Sequence, residues 1–310
     1  MPISVGFRGA DCPVGIRYAA LPTSPNNFFA RAQEFSVELL VPKEPVYEMG
    51  RLPSVGTLPR PRQYTAQMIL NTHQMTSANL TTEMSLAHID ASPPPVTIAL
   101  QNYIDGIGGA SLDLWLTSPY GELGYGHVAA VEYRASATGV SQSIFSFRGT
   151  GVVLPGESYF DAPGSDLTIP GAYYGGTTQC QVDGTVMQRV QSVTIRANLN
   201  ILELYQLSTV LPAGTGSWLA GVTYDPPIVT AEVEVVLHEN HQIGIWNQDA
   251  GIDALGLIYF PDSIITPSKT ITMHHPELTG VPTRGSVRGW ATMRFQYTSA
   301  TSEITVINNF

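Results

Sequence analysis

Histidines near an acid are the first residues of this 310-residue chain whose spacing is suited to chemistry. His238 and His241 lie three apart in LHENHQ with Glu239 between them, and His274 and His275 would have to supply further metal ligands. The spacing differs from the H-E-x-x-H pattern of a zinc helix, and the surroundings are typical of a strand end. Because a zinc site needs three or four ligands, we expect loop histidines and no metal ion.

Two acids recur in similar surroundings, Asp105 in IDG and Asp253 in IDA. Paired carboxylates perform glycoside hydrolysis, but two acids at matching places of a repeat more often hold turns through Asx hydrogen bonds. The chain has no G-x-S-x-G elbow and no Walker loop, and DGIGGAS lacks the strand-to-helix setting of a phosphate cradle. The sequence therefore predicts neither an enzyme nor a cofactor.

The chain is acidic, with 25 Asp and Glu against 15 Lys and Arg and a net charge of −10. Proteins that grip nucleic acid neutralise phosphates with Lys and Arg, so a DNA-gripping role is disfavoured. A conduit past which DNA moves without sticking is compatible with this balance. Charged residues make up only 13% of the chain, and interface cores are depleted in Lys, Glu and Asp. We therefore expect part of the surface to be covered by other copies.

Two cysteines, Cys12 and Cys180, are too few for a disulfide framework, and we expect two reduced thiols in a protein made in the cytoplasm. The start MPISVGFRGADCPVG lacks the basic and apolar regions of a signal peptide. No window approaches eighteen uninterrupted apolar residues. We expect neither secretion nor insertion into a membrane.

Short runs rich in Thr, Val, Ile and Tyr, interrupted by 29 Gly and 23 Pro, predict an all-β protein. The segment from Val190 to Ser208 also echoes the segment from Ala32 to Arg51. At a shift of 158 residues, Phe35 falls on Val193 and the apolar positions share their phase. Such an echo is typical of a chain built from two copies of one unit.

Three further anchors recur in the same order. YTAQMIL from Tyr64 matches VTAEVEV from Val229 at a shift of 165, and YIDGIGGASLDLWL resembles GIDALGLIYF. Two predicted hairpins, HVAAVEYRASATGVSQSIFSF and WATMRFQYTSATSEITVI, correspond at a shift of about 162. The alternative is that any two Val- and Thr-rich β domains look alike.

The anchors predict two tandem antiparallel β-sandwich or barrel domains of similar topology. The first covers residues 1–155 and the second residues 156–310, with a Gly- and Pro-rich linker at about 154–176. Each domain is expected to carry one short α-helix, over KEPVYEMG in the first and NILELYQL in the second. Asn198 or Asn200 would cap the second helix, and Pro45 fits near the start of the first.

This order of elements resembles the tail-tube proteins of tailed bacteriophages. The likeness lies in the strand VQSVTIRANLN, the ELYQL-type helix, the Gly/Pro loop, the strand VTAEVEV and the hairpin GYGHVAAVEYRASATGVSQSIFSFRGTG. VYEMGRLPSVG also keeps a Met-Gly-Arg step after the helix. The second copy, LYQLSTVLP, lacks the Gly-Arg pair, so a role for Arg51 does not transfer to it.

The resemblance implies inner β layers that join side by side into a closed ring, and rings that stack into a tube through which DNA leaves the capsid. With a duplicated domain, three chains suffice for a pseudo-hexameric ring. The implied partners are further copies of the chain, the tape measure, the terminator and distal tail proteins, and genomic DNA that passes without sequence-specific binding. The implied location is the virion tail.

Physical reasoning apart from the family also favours closure, because exposed edge strands are a liability that ring formation removes. An acidic channel wall would repel phosphates. The loops Leu52–Gln63 and Val210–Pro227 are candidates for stacking, since aromatic and Arg residues are the usual interface anchors. The candidate inter-ring or inter-subunit residues are Arg51, Arg60, Arg62, Trp218 and Tyr224, although Trp218 alternatively caps its own domain.

Two other functions stay open from the residues alone. One is a tandem β-sandwich that binds carbohydrate or a receptor through an aromatic platform drawn from Trp115, Trp218, Trp246 and Trp290. The other is a different virion component, such as a tail terminator, a baseplate protein or a capsid decoration.

Overall fold

The structure is a computed structural model that describes residues 15–18, 27–28, 32–40, 43–50, 53–59, 63–72, 96–99, 114–118, 121–149, 153–154, 173–205, 219–236, 251–260, 267–284 and 291–308. Antiparallel strands form nearly all the regular structure of these residues, so the all-β prediction is confirmed. The only helical element among them is a single 3-10 turn at Gly175–Thr177.

The strands are numbered in chain order. Those of the N-terminal half are β1 Gly15–Tyr18, β2 Asn27–Phe28, β3 Ala32–Leu40, β4 Lys43–Val46, β5 Gly56–Pro59, β6 Gln63–Asn71, β7 Val96–Ala99, β8 Leu114–Ser118, β9 Gly121–Ser136, β10 Gln142–Gly149 and β11 Val153–Leu154. Those of the C-terminal half are β12 Thr178–Val182, β13 Thr185–Val186, β14 Val190–Tyr205, β15 Leu219–Val236, β16 Ala254–Tyr259, β17 Lys269–His274, β18 Pro276–Gly280, β19 Thr283–Arg284, β20 Thr292–Ser299 and β21 Ile304–Asn308.

The two α-helices expected from the sequence are wrong. KEPV forms β4, and NILELY is the end of the long strand β14, so Asn198 and Asn200 lie inside a strand and cap no helix. The strand interpretation fits the residues, because Pro45 lies on an edge where no ladder donor is required. The apolar cluster that looked helical belongs to a two-stranded extension of the sheet.

One continuous sheet runs through both halves of the chain in the order β18-β20-β15-β14-β9-β10-β6-β3. We call it the main sheet. A second sheet has the order β13-β12-β16-β17-β21-β7. Side chains from one face of the main sheet and from the second sheet form one apolar core. Its fully buried members include Met68, Phe147, Ile195, Val233, Leu257, Ile271 and Phe295.

Alternation along the strands decides which face enters this core. In β6 the side chains of Tyr64, Ala66, Met68 and Leu70 are buried, whereas those between them are exposed or half-buried. Successive side chains of a strand point to opposite faces, so the core lies on one face and the other face is left polar.

Strand pairs from the two halves have the same register. In β3–β6, Val37 faces Ala66, and in β14–β15, Ile195 faces Ala231. These residues are related by the shifts of 158 and 165 that the sequence anchors gave. Both pairs also carry a bulge at the same place, after Ala32 in β3 and after Val190 in β14.

The neighbouring strands match as well, at a shift of 150. Phe147 of β10 faces Ala66, and Tyr297 of β20 faces Ala231. The bulge in the β9–β10 pair is matched by one in the β18–β20 pair, where Leu278 faces Tyr297 as Val128 faces Phe147. Each of four strands in the first half therefore has a counterpart with the same pairing register in the second half. β3 corresponds to β14, β6 to β15, β10 to β20, and the C-terminal part of β9 to β18 and β19 together.

The hairpin expected over residues 290–307 is wrong, although the hairpin β9–β10 is confirmed. β20 and β21 lie in different sheets, and the counterpart of β20 is β10. The small polar cluster between them forms an arch instead of a tight turn. Ser299 Oγ donates to the His274 carbonyl at 2.6 Å and accepts from the Glu303 N–H at 3.3 Å. Ser302 there has a φ of 56°, which a non-glycine residue adopts only under local constraint.

Candidate functional site

The strand pair β9–β14 joins the two halves edge to edge, and we call it the internal seam. Glu132 of β9 faces Arg196 of β14, and Tyr133 faces Ile195. Glu132 is only 9% exposed as a side chain, and it accepts from Arg134 Nε and lies 3.7 Å from Arg196 Nη1. The seam therefore has an apolar side in the core and an ion-paired side on the polar face.

The polar face continues across β15 and β20 with paired charges. Arg294 lies 3.5 Å from Glu232 and 3.9 Å from Glu234, and Gln296 Nε2 donates to Glu232 at 3.1 Å. Ser192 Oγ donates to Glu234 at 3.4 Å. Since these groups are about half exposed, each pair adds little to stability. Their effect on the surface is to place two carboxylates, those of Glu232 and Glu234, beside the Arg294 guanidinium group.

A shallow groove of about 560 Å³ lies on this face, between the internal seam and β20. Arg134, Arg196, Glu132 and Glu232 line it together with hydroxyl and amide side chains. Small-molecule pockets are mostly apolar and enclosed with a few convergent polar groups. This groove has the opposite character, and its charges are already satisfied, so its chemistry is that of a hydrated polar wall.

Among the described strands, β3 and the β18–β19 segment pair on one side only, and we call them the free edges of the main sheet; they differ from the internal seam in burial. Leu39 on β3 is 56% exposed, whereas Ala197, which holds the same register position in β14, is 1% exposed. Leu278 on β18 is 41% exposed, whereas Val128, its counterpart in β9, is 3% exposed. Both units have apolar residues at these positions, which are buried on the inner strands β9 and β14 and exposed on the outer strands β3 and β18.

Each half also has a two-stranded arm, which is the separate two-stranded sheet β4–β5 in the first half and the paired ends of β14 and β15, beyond the residues of β14 that pair with β9, in the second. In the first arm, β4 pairs with β5 so that Val46 faces Gly56, and in the second, Leu204 of β14 faces Gly221 of β15. These pairs are related by the same shifts of 158 and 165. In the second half, Pro226 lies at the irregularity between Asn198 and Asn200, where the β14–β15 register shifts. A proline has no N–H for the ladder, which accounts for this interruption. Pro61, which is related to Pro226 by 165, lies outside the described residues.

The tip of the first arm exposes apolar side chains. Tyr47 is 65% exposed, Met49 is fully exposed and Val55 is 41% exposed. The turn between them is made by Gly50, whose φ of 84° suits a residue without Cβ. An isolated two-stranded hairpin is marginally stable in water, so this arm has the properties of a segment that packs on a partner.

The sequence candidates for contact residues fall mostly beyond the described part of the chain. Arg51, Arg60, Arg62 and Trp218 lie outside the described residues. Tyr224 lies in β15 of the second arm, opposite Ile201. The exposed residues Tyr47 and Met49 were missed because the segment KEPVYEMG was assigned to a helix. Val55 lies in the loop Leu52–Gln63, which was a candidate for stacking, but it was not singled out. The alignment of Val46 with Leu204 would have indicated this region, because both residues lie in strands and the residues after Val46 then form the tip of a hairpin.

The candidates for chemistry are equally scattered. His238, His241 and Asp105 lie outside the described residues. His274 Nε2 is 2.8 Å from Thr305 Oγ1, and His275 faces Asp253 at 4.0 Å. The carboxylate that holds the turn at residues 253–254 is that of Asp183, which accepts from both backbone N–H groups at 2.9 and 2.8 Å. Within the described residues, no three His, Cys, Asp or Glu side chains come together to hold a metal ion.

Three titratable side chains of the core, those of Tyr64, Cys180 and Tyr297, are held in their neutral forms by burial. Cys180 is a free thiol whose pKa is raised to about 12 by burial, which makes it a poor nucleophile. Burial raises the pKa of Tyr64, and burial and then the Cys180 thiolate raise the pKa of Tyr297. These three side chains belong to the apolar core and serve its packing. Cys12 lies outside the described residues.

Comparison with known proteins adds no relative. No model of a protein family matches the chain, and no curated protein matches its sequence. Among the described residues, no helix has the length and hydropathy needed to cross a membrane.

Proposed function

We propose that this chain is the major tail-tube subunit of a tailed bacteriophage, a structural protein that assembles into stacked rings around a channel for DNA. The observation that carries the proposal is the internal seam, where two four-stranded units of equal register join edge to edge within one chain. A unit that already pairs with its own copy is suited to continue the same contact between chains.

The proposal includes two tandem domains of similar topology, divided near residue 155. It is supported by the matched registers of the main sheet and by a second correspondence of strand order. β2-β1-β8-β9-β11 in the first half has the same order as β13-β12-β16-β17-β21 in the second. If each chain contributes two equivalent units, a ring of three chains has six units around its axis.

The polar face of the main sheet would form the channel wall. The sequence favoured an acidic wall, and the described side chains support a charge-paired one instead. Arg134 and Arg196 are held by Glu132, and Arg294 is held by Glu232 and Glu234. Phosphate binding requires that a guanidinium release its carboxylate, so a wall of this kind offers DNA few favourable contacts.

The arms would join successive rings. The exposed side chains of Tyr47, Met49 and Val55 lie on a hairpin that leaves the sheet, and aromatic and Met residues are enriched at protein interfaces. In the virion, the last ring at each end of the tube would contact the terminator or the distal tail proteins. The tape measure and then genomic DNA would occupy the channel.

Electron microscopy of the purified protein tests this function. We expect negatively stained samples to contain rings with a central hole, and at high concentration tubes of stacked rings. A protein that stays a soluble monomer at every concentration, or that binds glycans as a monomer, would contradict it. Tubes should also show no retention of linear DNA in a co-sedimentation assay at physiological salt.

A further inference from the structure

The two free edges of the main sheet, β3 on one side and β18 with β19 on the other, are the counterparts of the two strands that pair at the internal seam. We propose that β3 of one copy pairs with β18 and β19 of the next copy in the register of the internal seam. This inference rests on the proposed ring assembly and names the strands, residues and direction of the contact. The occupant of each edge is a second copy of this chain.

The register follows from translating the internal seam by the shifts of the repeat. Arg134 faces Thr194 in the seam, so Arg284 faces Ser36 between copies. Tyr133 faces Ile195, so Thr283 faces Val37. The remaining pairs of the contact follow in the same way: Pro282 with Glu38, Val281 with Leu39, and Gly280 with Leu40.

The translated pairs are chemically compatible. Arg284 repeats Arg134 and Ser36 replaces Thr194, so the position keeps an arginine beside a hydroxyl residue. The β3 edge carries the exposed carboxylates of Glu34 and Glu38, whereas β19 carries an arginine. The seam's ion pair of Glu132 with Arg196 is not repeated directly, because Pro282 lies opposite Glu38 at that position. The opposite charges would instead meet diagonally, with Arg284 between Glu34 and Glu38.

Pro282 does not block the contact. Its carbonyl accepts from the Arg294 N–H at 3.0 Å, so the position of its missing N–H faces β20 as well. In an antiparallel strand, the N–H and C=O of one residue point to the same neighbour, and adjacent residues point to opposite neighbours. Val281 and Thr283 therefore direct their backbone groups to the free edge, where the partner strand lies.

The apolar surface left at the edges agrees with this contact. Leu39 is 56% exposed in the single chain, whereas its counterpart Ala197 is 1% exposed at the internal seam, where it faces Val131. Because the contact joins two different edges, it is heterologous and closes into a ring or continues as a filament.

Cysteine cross-linking tests the register. The Ala137 N–H donates to the Gln191 carbonyl at 2.8 Å, so alternation makes Arg134 and Thr194 a pair without mutual backbone hydrogen bonds. Such pairs have the shorter Cα separation, about 4.5 Å, which suits a disulfide. The corresponding test pair is Ser36→Cys with Arg284→Cys, in a Cys12→Ser background.

We expect the double variant to form a ladder of linked chains on mild oxidation of the assembled protein. A mixture of the two single variants should give linked dimers, and neither single variant alone should do so. The pair Arg134→Cys with Thr194→Cys is the positive control, because it should link within one chain. The pair Glu34→Cys with Arg284→Cys is out of register by two residues and should link more slowly.

Three outcomes separate the possibilities. The expected ladder supports the register. Rings or tubes in the microscope without linkage at Ser36 and Arg284 would overturn this contact and leave the proposed function standing. A monomer that never assembles would overturn both.

A second variant avoids dependence on disulfide formation. Leu39→Glu places a charge at an exposed edge position, so the single chain should fold with an unchanged circular dichroism spectrum. We expect its self-association to weaken at least about tenfold, since a charge on an edge strand opposes pairing. Unchanged association would contradict the contact.

Discussion

Glu132 and Arg196 face each other across the seam between the two halves of the chain, and their side chains form an ion pair at 3.7 Å. The same glutamate also accepts from Arg134 on its own strand. This cluster therefore ties the two halves of the chain together on the polar face, above the core contact of Tyr133 with Ile195. The internal seam is the template for the contact that we infer between chains.

Glu132→Gln should lower the free energy of unfolding by about 1 kcal/mol, because it leaves two guanidinium groups beside a neutral amide while solvent screens them. Glu232→Gln is the matched control, since that carboxylate is 46% exposed and should matter less. Urea unfolding of both variants gives the comparison. Equal losses would show that the seam position has no special role.

Tyr64→Phe should keep or raise stability, by up to about 1 kcal/mol, because the buried Tyr64 hydroxyl has no hydrogen-bond partner among the described residues. Tyr173→Phe is the control. The Tyr173 hydroxyl forms a buried hydrogen bond with Ser268 Oγ, so its removal should cost about 1 kcal/mol. Thermal or urea unfolding distinguishes them, and a clear loss in Tyr64→Phe would reveal a partner for that hydroxyl.

Stability should fall at alkaline pH through Cys180. Its thiol ionises at about pH 8.5 in the unfolded chain, and burial raises its pKa to about 12 in the folded protein. A raised folded pKa gives stability that is complete below pH 8.5 and is lost as the pH rises towards 12. Urea unfolding between pH 7 and 10.5 measures the slope.

The control for this pH dependence is Cys180→Ala, which should unfold with a shallower slope above pH 8.5. The wild-type thiol should also react with a thiol reagent only after unfolding, because burial keeps it protonated and covered. Rapid modification of Cys180 in the folded protein at pH 8 would contradict this account.

Met49→Asp should leave rings intact and prevent their stacking, because Met49 is fully exposed at the tip of the first arm and the main-sheet edges are unchanged. Val186→Asp is the control. Val186 is also an exposed apolar residue, but it lies in the short hairpin β12–β13 of the second sheet. Electron microscopy scores single rings against tubes, and tubes of normal length in Met49→Asp would remove the arm from the stacking contact.

The sequence predicted the strand content and aligned two strands of the first half with two strands of the second, Val37 with Ile195 and the strand of Tyr64 with that of Val229. The structure adds that the aligned strands pair with each other, with Val37 opposite Ala66 and Ile195 opposite Ala231. Because every second residue of these strands is buried, apolar residues recur at every second position, and this pattern persists even where the residues at matching positions differ. The same signal identifies the core positions Met68 and Val233.

The errors arose where a local pattern had two readings. The apolar residues around Val46 and Leu204 were assigned to helices, whereas Val46 lies in β4 and Leu204 in β14. Their short apolar runs are compatible with either a helix or a strand. The Ser299 arch was assigned to a hairpin, because small polar residues suit both connections, and only the tertiary hydrogen bond to the His274 carbonyl decides between them.

The internal seam was beyond sequence reasoning. β9 and β14 are separated by a long connection, and pairing between edges depends on where the rest of the chain places them. The Glu132 cluster has no local motif, since Arg196 comes from a distant strand. The sequence suggested similar strands in the two halves, but which edges of the halves pair with each other is visible only in the structure.

The most direct test of the central claim is sedimentation velocity of the 33.4 kDa chain over a wide range of concentration. We predict a closed species of fixed size, with three chains as the expected number, and larger species that are whole multiples of it. A single species with the mass of one chain at every concentration would contradict the claim that this protein pairs with itself edge to edge.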